Sequence, residues 1–216
     1  MLPPMLCGDD LTLLSRHPDQ WAWMVQADGF RAQLHTHTAT LWSRAGNHLG
    51  PAFRDALDAA LATLPDTDLV LDCELVVVDD TARPDFAALS ARAGCRSAAA
   101  VRRAAATAPA LLLAFDVLVL DGRDLRPLSW QDRHAHLTQL GLAATVTPGA
   151  PGLAYLQAHD DGPALIRATH DLGLEGVVAK HRHSPYVGRR SDRWVKVKHS
   201  HARDLVAAHD RWRRAS

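Results

Sequence analysis

Residues 22–32 read AWMVQADGFRA. Apolar and aromatic residues approach Asp28-Gly29 from one side, and Phe30 resumes beyond it, the pattern of two strands around a tight turn. The continuation, FRAQLHTHTATLWSR, stays rich in aromatic and β-branched residues, so strand follows strand with no helix between them. Further out, DLVLDCELVVVDD and ALLLAFDVLVLDG read as buried strands. EGVVAKHR and DRWVKVKHS read as two more, joined by the loop HSPYVGRRS. Helical spacing governs GPAFRDALDAALATL, where Pro51 suits a first turn. It also governs the Ala-rich DFAALSARAGCRSAAAVRRAAATAP, with a break near Gly94, and SWQDRHAHLTQLG and DDGPALIRATHDLG, the last starting near Asp161. Strands and helices mix without a βαβ rhythm, which predicts an α+β fold of largely antiparallel sheets.

A chain of 216 residues suffices for one domain with a sizeable core, or one and a small appendage. Its 47% apolar and 22% charged residues exclude a disordered or fibrous chain. No apolar run reaches the roughly 20 residues of a membrane span, and the start, MLPPMLCGDD, lacks the pattern of a signal peptide. Cys7, Cys73 and Cys95 form no close pair, which argues against disulfides and a zinc cage. The expectation is a cytoplasmic protein with reduced thiols and no membrane partner.

Net charge is zero but uneven. From Lys180 to Ser216 eleven Lys and Arg face three Asp, so this last sixth carries +8 and the rest −8. Such a basic end suits a phosphate or a nucleic-acid backbone, or is a solvated tail. The identities are more telling. Among 24 basic residues only Lys180, Lys196 and Lys198 are lysines, and among 24 acidic ones only Glu74 and Glu175 are glutamates. Where Arg and Asp serve almost everywhere, a surviving Lys or Glu points to a need for a compact ammonium or a longer carboxylate arm.

The order of these stretches resembles the nucleotidyltransferase (adenylation) domain of ATP-dependent DNA ligases of the compact bacterial type. That family's Lys-x-Asp-Gly-x-Arg motif is matched by QADGFR except at its first position, Gln26. Its Ser-Arg-x-Gly motif is present as SRAG, Ser43 to Gly46. Leu-Asp-Gly-Glu appears as LDCE with Cys73 in the glycine position. A Phe-Asp strand leads to an Asp-Gly turn in AFDVLVLDG. EGVVAK and WVKVK complete the set, with a matching SPYVGRRSDRW loop between them. The likeness runs over nearly the whole chain. It implies an α+β, ATP-grasp-like nucleotidyltransferase domain over residues 1–200, of largely antiparallel sheets flanked by helices, and a short basic tail at 201–216.

In that family the motif lysine attacks the α-phosphorus of ATP to form lysyl-AMP, AMP passes to the 5′-phosphate of a DNA nick, and the 3′-hydroxyl displaces it. The resemblance then implies that Gln26, at the nucleophile position, stands with Asp28 and Gly29 in the nucleotide-binding turn. It implies that Lys180, Lys196 and Lys198 meet the α-phosphate, and that Arg31 and Arg44 grip ribose or phosphate oxygens. Phe115 stacks on adenine, Glu74 holds the ribose or a metal, and Glu175 coordinates Mg²⁺, a hard cation that takes carboxylate oxygens. Read without the resemblance, Phe115 is equally a core residue, Arg31 and Arg44 are strand-surface residues, and Asp116 and Asp121 are turn residues. Glu74 and Glu175 carry more weight, because a carboxylate in an apolar strand needs a partner to be buried. Four His-x-His pairs lack a third ligand at recognisable spacing, so no transition-metal site is expected, and His181 and His183 are read as adding to anion binding.

Gln26 is the main departure. An amide nitrogen shares its lone pair with the carbonyl and has no amine to deprotonate, so lysyl-AMP at this position is excluded. The family's OB-fold, which follows the WVKVK strand, has only 18 residues of room here. A partner chain is therefore expected to supply any OB-fold. Three readings follow: a DNA-repair protein that binds ATP or AMP, Mg²⁺ and nicked DNA without charging itself; an enzyme that transfers adenylyl directly to a small substrate; and a non-catalytic, nucleotide-binding pseudo-ligase.

Overall fold

A computed structural model describes residues 1–201; the basic tail expected over 201–216 lies, beyond its first residue, outside them. In chain order the strands are β1 (Leu6–Gly8), β2 (Trp21–Gln26), β3 (Phe30–His35), β4 (Thr40–Ser43), β5 (Leu69–Val77), β6 (Ala110–Leu120), β7 (Arg123–Asp124), β8 (Gly152–Tyr155), β9 (Gly176–His181) and β10 (Arg190–Lys198). The helices are α1 (Thr12–Arg16), α2 (Arg54–Thr63), α3 (Phe86–Ala93), α4 (Ala98–Thr107), α5 (Trp130–Gln139) and α6 (Gly162–Asp171). The expected break at Gly94 separates α3 from α4, and Ser97 caps the second helix by accepting from the Ala100 amide.

The residues divide into two compact units. One comprises Met1–Leu2, Ala27–Pro127 and Asp132–Leu156; the other comprises Pro3–Gln26, Leu128–Gln131 and the chain from Gln157 onward. Each has its own sheet, and both sheets are mainly antiparallel, as expected.

In the first unit the strand order is β4-β3-β5-β6-β7, with β8 added parallel to β6. Alternate residues of β5 (Leu69, Leu71, Cys73, Leu75, Val77) enter a core with Ala56, Leu57 and Ala60 of α2 and Leu89 of α3. The intervening residues, among them Asp72, Glu74 and Val76, belong to the opposite face. In β6 the core residues are Ala110, Leu112 and Ala114, then Val117, a step of three where alternation demands two. The pairing with β5 slips there: Cys73 faces Ala114 and Asp72 faces Asp116, leaving Phe115 as the extra residue of a bulge.

In the second unit the order is β1-β10-β9-β2. Trp21 and Trp23 of β2, Val177 and Ala179 of β9, Val195 and Val197 of β10, and Leu165 and Ile166 of α6 form its core. Gly162 opens α6 where it meets Trp23: an added Cβ would lie 2.2 Å from the indole. The short strands β1 and β8 gave no signal in the sequence, because three or four residues cannot display a period. No helix among the described residues is long and apolar enough to cross a membrane.

Cys73, the residue in the motif's glycine position, is buried in the helix-side core, and burial pushes its thiol well above the ordinary range. The departure from the motif therefore leaves the opposite face of β5 untouched. Cys7 and Cys95 are partly exposed. In the native protein Ellman's reagent is expected to reach Cys7 and Cys95 and to spare Cys73 until denaturant is added. Rapid modification of Cys73 under native conditions would show that this sheet opens locally.

Candidate functional site

The second unit gathers four of the residues singled out above. Because side chains alternate along a strand, β2 sends Ala22, Met24 and Gln26 to the face away from its core. On the same rule β9 sends Gly176, Val178 and Lys180 there, and β10 sends Trp194, Lys196 and Lys198. The register aligns them in three rows: Ala22–Lys180–Trp194, Met24–Val178–Lys196 and Gln26–Gly176–Lys198. Glu175 immediately precedes the last row. Its Oε1 lies 3.0 Å from the Lys196 ammonium and 3.3 Å from that of Lys198. All three side chains are 31–54% exposed, so these pairs contribute little stability; they set out a charged group open to a ligand.

Gly176 keeps that row open. An added Cβ would lie 2.3 Å from the Val197 carbonyl, so no larger residue fits between Gln26 and Lys198 without moving β10. Gln26 is only 9% exposed, and its Oε1 is buried with no hydrogen-bond partner. A buried amide oxygen without a donor costs about 1–3 kcal/mol, which a ligand donor would relieve.

Lys180 stands two rows from Gln26 on the same face. It is 2% exposed, with Nζ 4.1 Å from the ring centroid of Trp194 and 5.8 Å from that of Trp130. Its neighbour in the row is Trp194, so the register brings the ammonium to an aromatic face. His181 and His183, expected to join the phosphate group, stand at the other end of β9: His181 pairs with Trp21, the first residue of β2, and Gln26 is the last.

The first unit holds the remaining candidates. Gly29 lets the Asp28-Gly29 turn press on β5, since an added Cβ would lie 2.3 Å from the Leu75 carbonyl and 3.1 Å from Cγ of Glu74. Arg31 faces Glu74 in the ladder. Its guanidinium reaches diagonally to Asp72, with Nε 3.0 Å from Oδ1 and the second nitrogen 2.6 Å from Oδ2. It also lies 5.4 Å from the ring centroid of Phe115. Arg31, Glu74 and Phe115 thus share the face opposite the helices, and Asp72 orients the arginine. Arg44 is exposed in the Ser43–Asn47 turn, which Gly46 closes with φ +83°.

One reading changes. Asp116 is no turn residue: it is fully buried and accepts from Arg133 of α5 at 2.8 and 2.9 Å, with Arg133 equally buried. Asp121 does lie in a turn, at φ +51°, and accepts from Thr67. The sequence reading missed Asp72, Gly176 and Arg133. Asp72 had a signal, its two-residue offset from Glu74 on one strand. Arg133 had none.

Glu175 fits Mg²⁺ in the manner usual for that ion, which takes one or two carboxylates from protein and the rest of its shell from phosphate and water. Among the described residues no three acidic, His or Cys side chains gather as a complete cage.

Residues 4–198 match the family profile described as "ATP dependent DNA ligase domain". A probable DNA ligase of Streptomyces avermitilis is 35% identical over 192 residues, 86% of this chain and 36% of the relative. A probable DNA ligase of Mycobacterium marinum is 34% identical over 97% of this chain and 41% of its own length. Among solved structures, mycobacterial DNA ligase D complexed with ATP and MES aligns with a TM-score of 0.69 at 32% identity, covering 92% of this chain and 60% of that one. The chain thus spans under half the length of these curated relatives.

Proposed function

Because this chain belongs to the ATP-dependent DNA ligase domain family, we propose that it handles ATP or AMP and an adenylated DNA nick but does not charge itself. The observation that carries this reading is the row Gln26–Gly176–Lys198, with Glu175 bridging Lys196 and Lys198 beside it. It is a phosphate-handling arrangement in which only the amine is missing.

The division of labour follows from charge and shape. Lys196 and Lys198 are half-exposed point charges that follow a phosphate as its geometry changes. Lys180 supports the sheet from its aromatic contacts. Phe115 and Glu74 meet the adenosine, with Arg31 held ready by Asp72. Glu175 would hold Mg²⁺, which supplies neutralisation of charge at the phosphate. Gln26 offers an amide to the nucleotide, a hydrogen-bonding group and no nucleophile.

The step left open to such a site is the last of the family's three. The 3′-hydroxyl oxygen attacks the 5′-phosphorus of an adenylated end and gives its proton to solvent, the bond to AMP breaks, and AMP leaves with the displaced charge. No lysine nucleophile takes part. With pre-adenylated nicked duplex and Mg²⁺, the protein is expected to seal the nick, and Glu175→Ala to lower the rate by a factor of about 10²–10³, as loss of one charge-stabilising group does. With ordinary nicked DNA and α-labelled ATP it is expected to neither seal nor take label. Protein labelling with ATP would overturn the reading. So would AMP release to a small acceptor without sealing, which would point to direct adenylyl transfer.

A further inference from the structure

The turn that leads to Glu175 is held from both sides. α6 ends on Asp171, and the chain reverses through Leu172, Gly173 and Leu174. Gly173 takes φ +69° and its amide donates to the His170 carbonyl, while the Leu174 amide reaches back to the Thr169 carbonyl, both at 2.9 Å. These are the paired hydrogen bonds of a glycine-closed helix end, and they satisfy the N–H side of Leu174. Its carbonyl is met from elsewhere in the sequence, by Nε2 of His199 at 3.0 Å. A carbonyl oxygen only accepts, so Nε2 carries the hydrogen.

His199 reaches that carbonyl because of where β10 ends. Lys198 is the last residue of the strand, and a 3-10 turn begins at His199. The Lys198 ammonium stands on the ligand side, 3.3 Å from Glu175 Oε1. His199, next in the chain, turns to the α6 side, where its ring meets that of His170 edge-on with centroids 5.3 Å apart. Consecutive residues thus grip one short segment from opposite sides: Lys198 takes the side chain of Glu175, and His199 takes the peptide before it. The Leu174 carbonyl belongs to the peptide plane that ends at the Cα of Glu175, and that plane is rigid. Fixing the oxygen therefore fixes the point from which the carboxylate starts. A glutamate arm has several rotatable bonds, and it keeps one place only when its root is held.

We propose that His199 is a positioning residue for the phosphate-handling end of this sheet: its hydrogen bond to the Leu174 carbonyl keeps the Glu175 carboxylate between Lys196 and Lys198. The proposal rests on the reading of Glu175 given above and adds the group that aims it. His199 acts through the peptide that it binds and not on a ligand. Without its N–H the turn is held only from the α6 side, and the carboxylate is free to leave the two ammonium groups. Loss of one such hydrogen bond shifts a local equilibrium by a factor of about 2–12.

The test uses protein whose lysines carry carbon-13 at Cε. The chain has only three lysines, so its spectrum holds three side-chain signals to assign. Lys180, buried against Trp194, reports on the fold, and Lys196 and Lys198 report on Glu175. His199→Phe keeps a ring against His170 without a donor, His199→Leu removes ring and donor, and His199→Gln returns an N–H. In both donor-free variants the Lys196 and Lys198 signals are expected to move toward their positions in Glu175→Ala while Lys180 stays. His199→Gln is expected to match the unaltered protein. With pre-adenylated nicked duplex, the donor-free variants should need about 2–12 times more Mg²⁺ for half the maximal rate, at unchanged KM for DNA. Unmoved Lys196 and Lys198 signals would overturn the proposal. So would all three signals moving together, which is general loss of packing, or His199→Gln behaving like His199→Phe. A raised KM for DNA with no change in Mg²⁺ demand would also overturn it. Sealing absent from the unaltered protein would remove the DNA reading alone, because the lysine spectra, recorded without nucleotide or metal, still decide what His199 holds.

Discussion

Gln26→Lys is expected to convert a chain that takes no label from α-labelled ATP into one that does, through an acid-labile phosphoramidate. The argument is geometric and electrostatic. Residue 26 ends β2 directly across Gly176 from Lys198, in a row that a Cβ at 176 would close. The Gln26 side chain is already buried there, and a lysine is one bond longer. Its amine must lose a proton before it attacks. Burial and the two neighbouring ammonium groups of Lys196 and Lys198 lower an amine's pKa, while Glu175, already bridging those two, opposes this only in part. The attacking nitrogen forms a bond to the α-phosphorus as the bond to pyrophosphate breaks, and pyrophosphate leaves. Mass spectrometry should then find one adenylyl group on residue 26. A Gln26→Lys protein that folds, binds ATP and stays unlabelled would show that the pocket serves other chemistry.

The second large effect concerns stability. Asp116 and Arg133 are both fully buried and joined by two hydrogen bonds. Asp116→Ala removes the carboxylate and leaves a guanidinium in the interior, which costs about 3–5 kcal/mol. At about 2–4 °C per kcal/mol for a chain of this size, the melting temperature should fall by roughly 6–20 °C. Replacing both partners with apolar residues of similar volume, as in Asp116→Leu/Arg133→Met, should recover most of that loss, because no charge remains unpaired. If the single variant melts within about 2 °C of the unaltered protein, the pair is not the buried ion pair described, on the same scale. A double variant no better than the single one would mean that the carboxylate matters by its shape and not by its charge.

The two experiments probe different layers of the molecule. The first tests a row of side chains set by strand register in one unit. The second tests what holds β6 to α5 in the other, and with it the strand that carries Phe115.

Much of this was written in the chain. Alternation in WVKVK puts Trp194, Lys196 and Lys198 on one face of a strand whatever its neighbours are, because successive side chains point opposite ways. The same rule joins Asp72 to Glu74. The Asp28-Gly29 turn, the break at Gly94 and the caps of the helices are local, and local chemistry decides them. The missing amine at residue 26 is also a fact of sequence, since no fold gives an amide a nucleophilic nitrogen. What no period could show is who stands opposite whom. Register alone sets Gln26 across Gly176 from Lys198, and Lys180 beside Trp194. Register also slips at the bulge in β6, which lets Phe115 and its neighbour Asp116 both leave the helix-side core that alternation would have assigned to one of them. Pairing between distant strands is settled by the fit of whole faces, a property of the assembled sheet and of no segment within it.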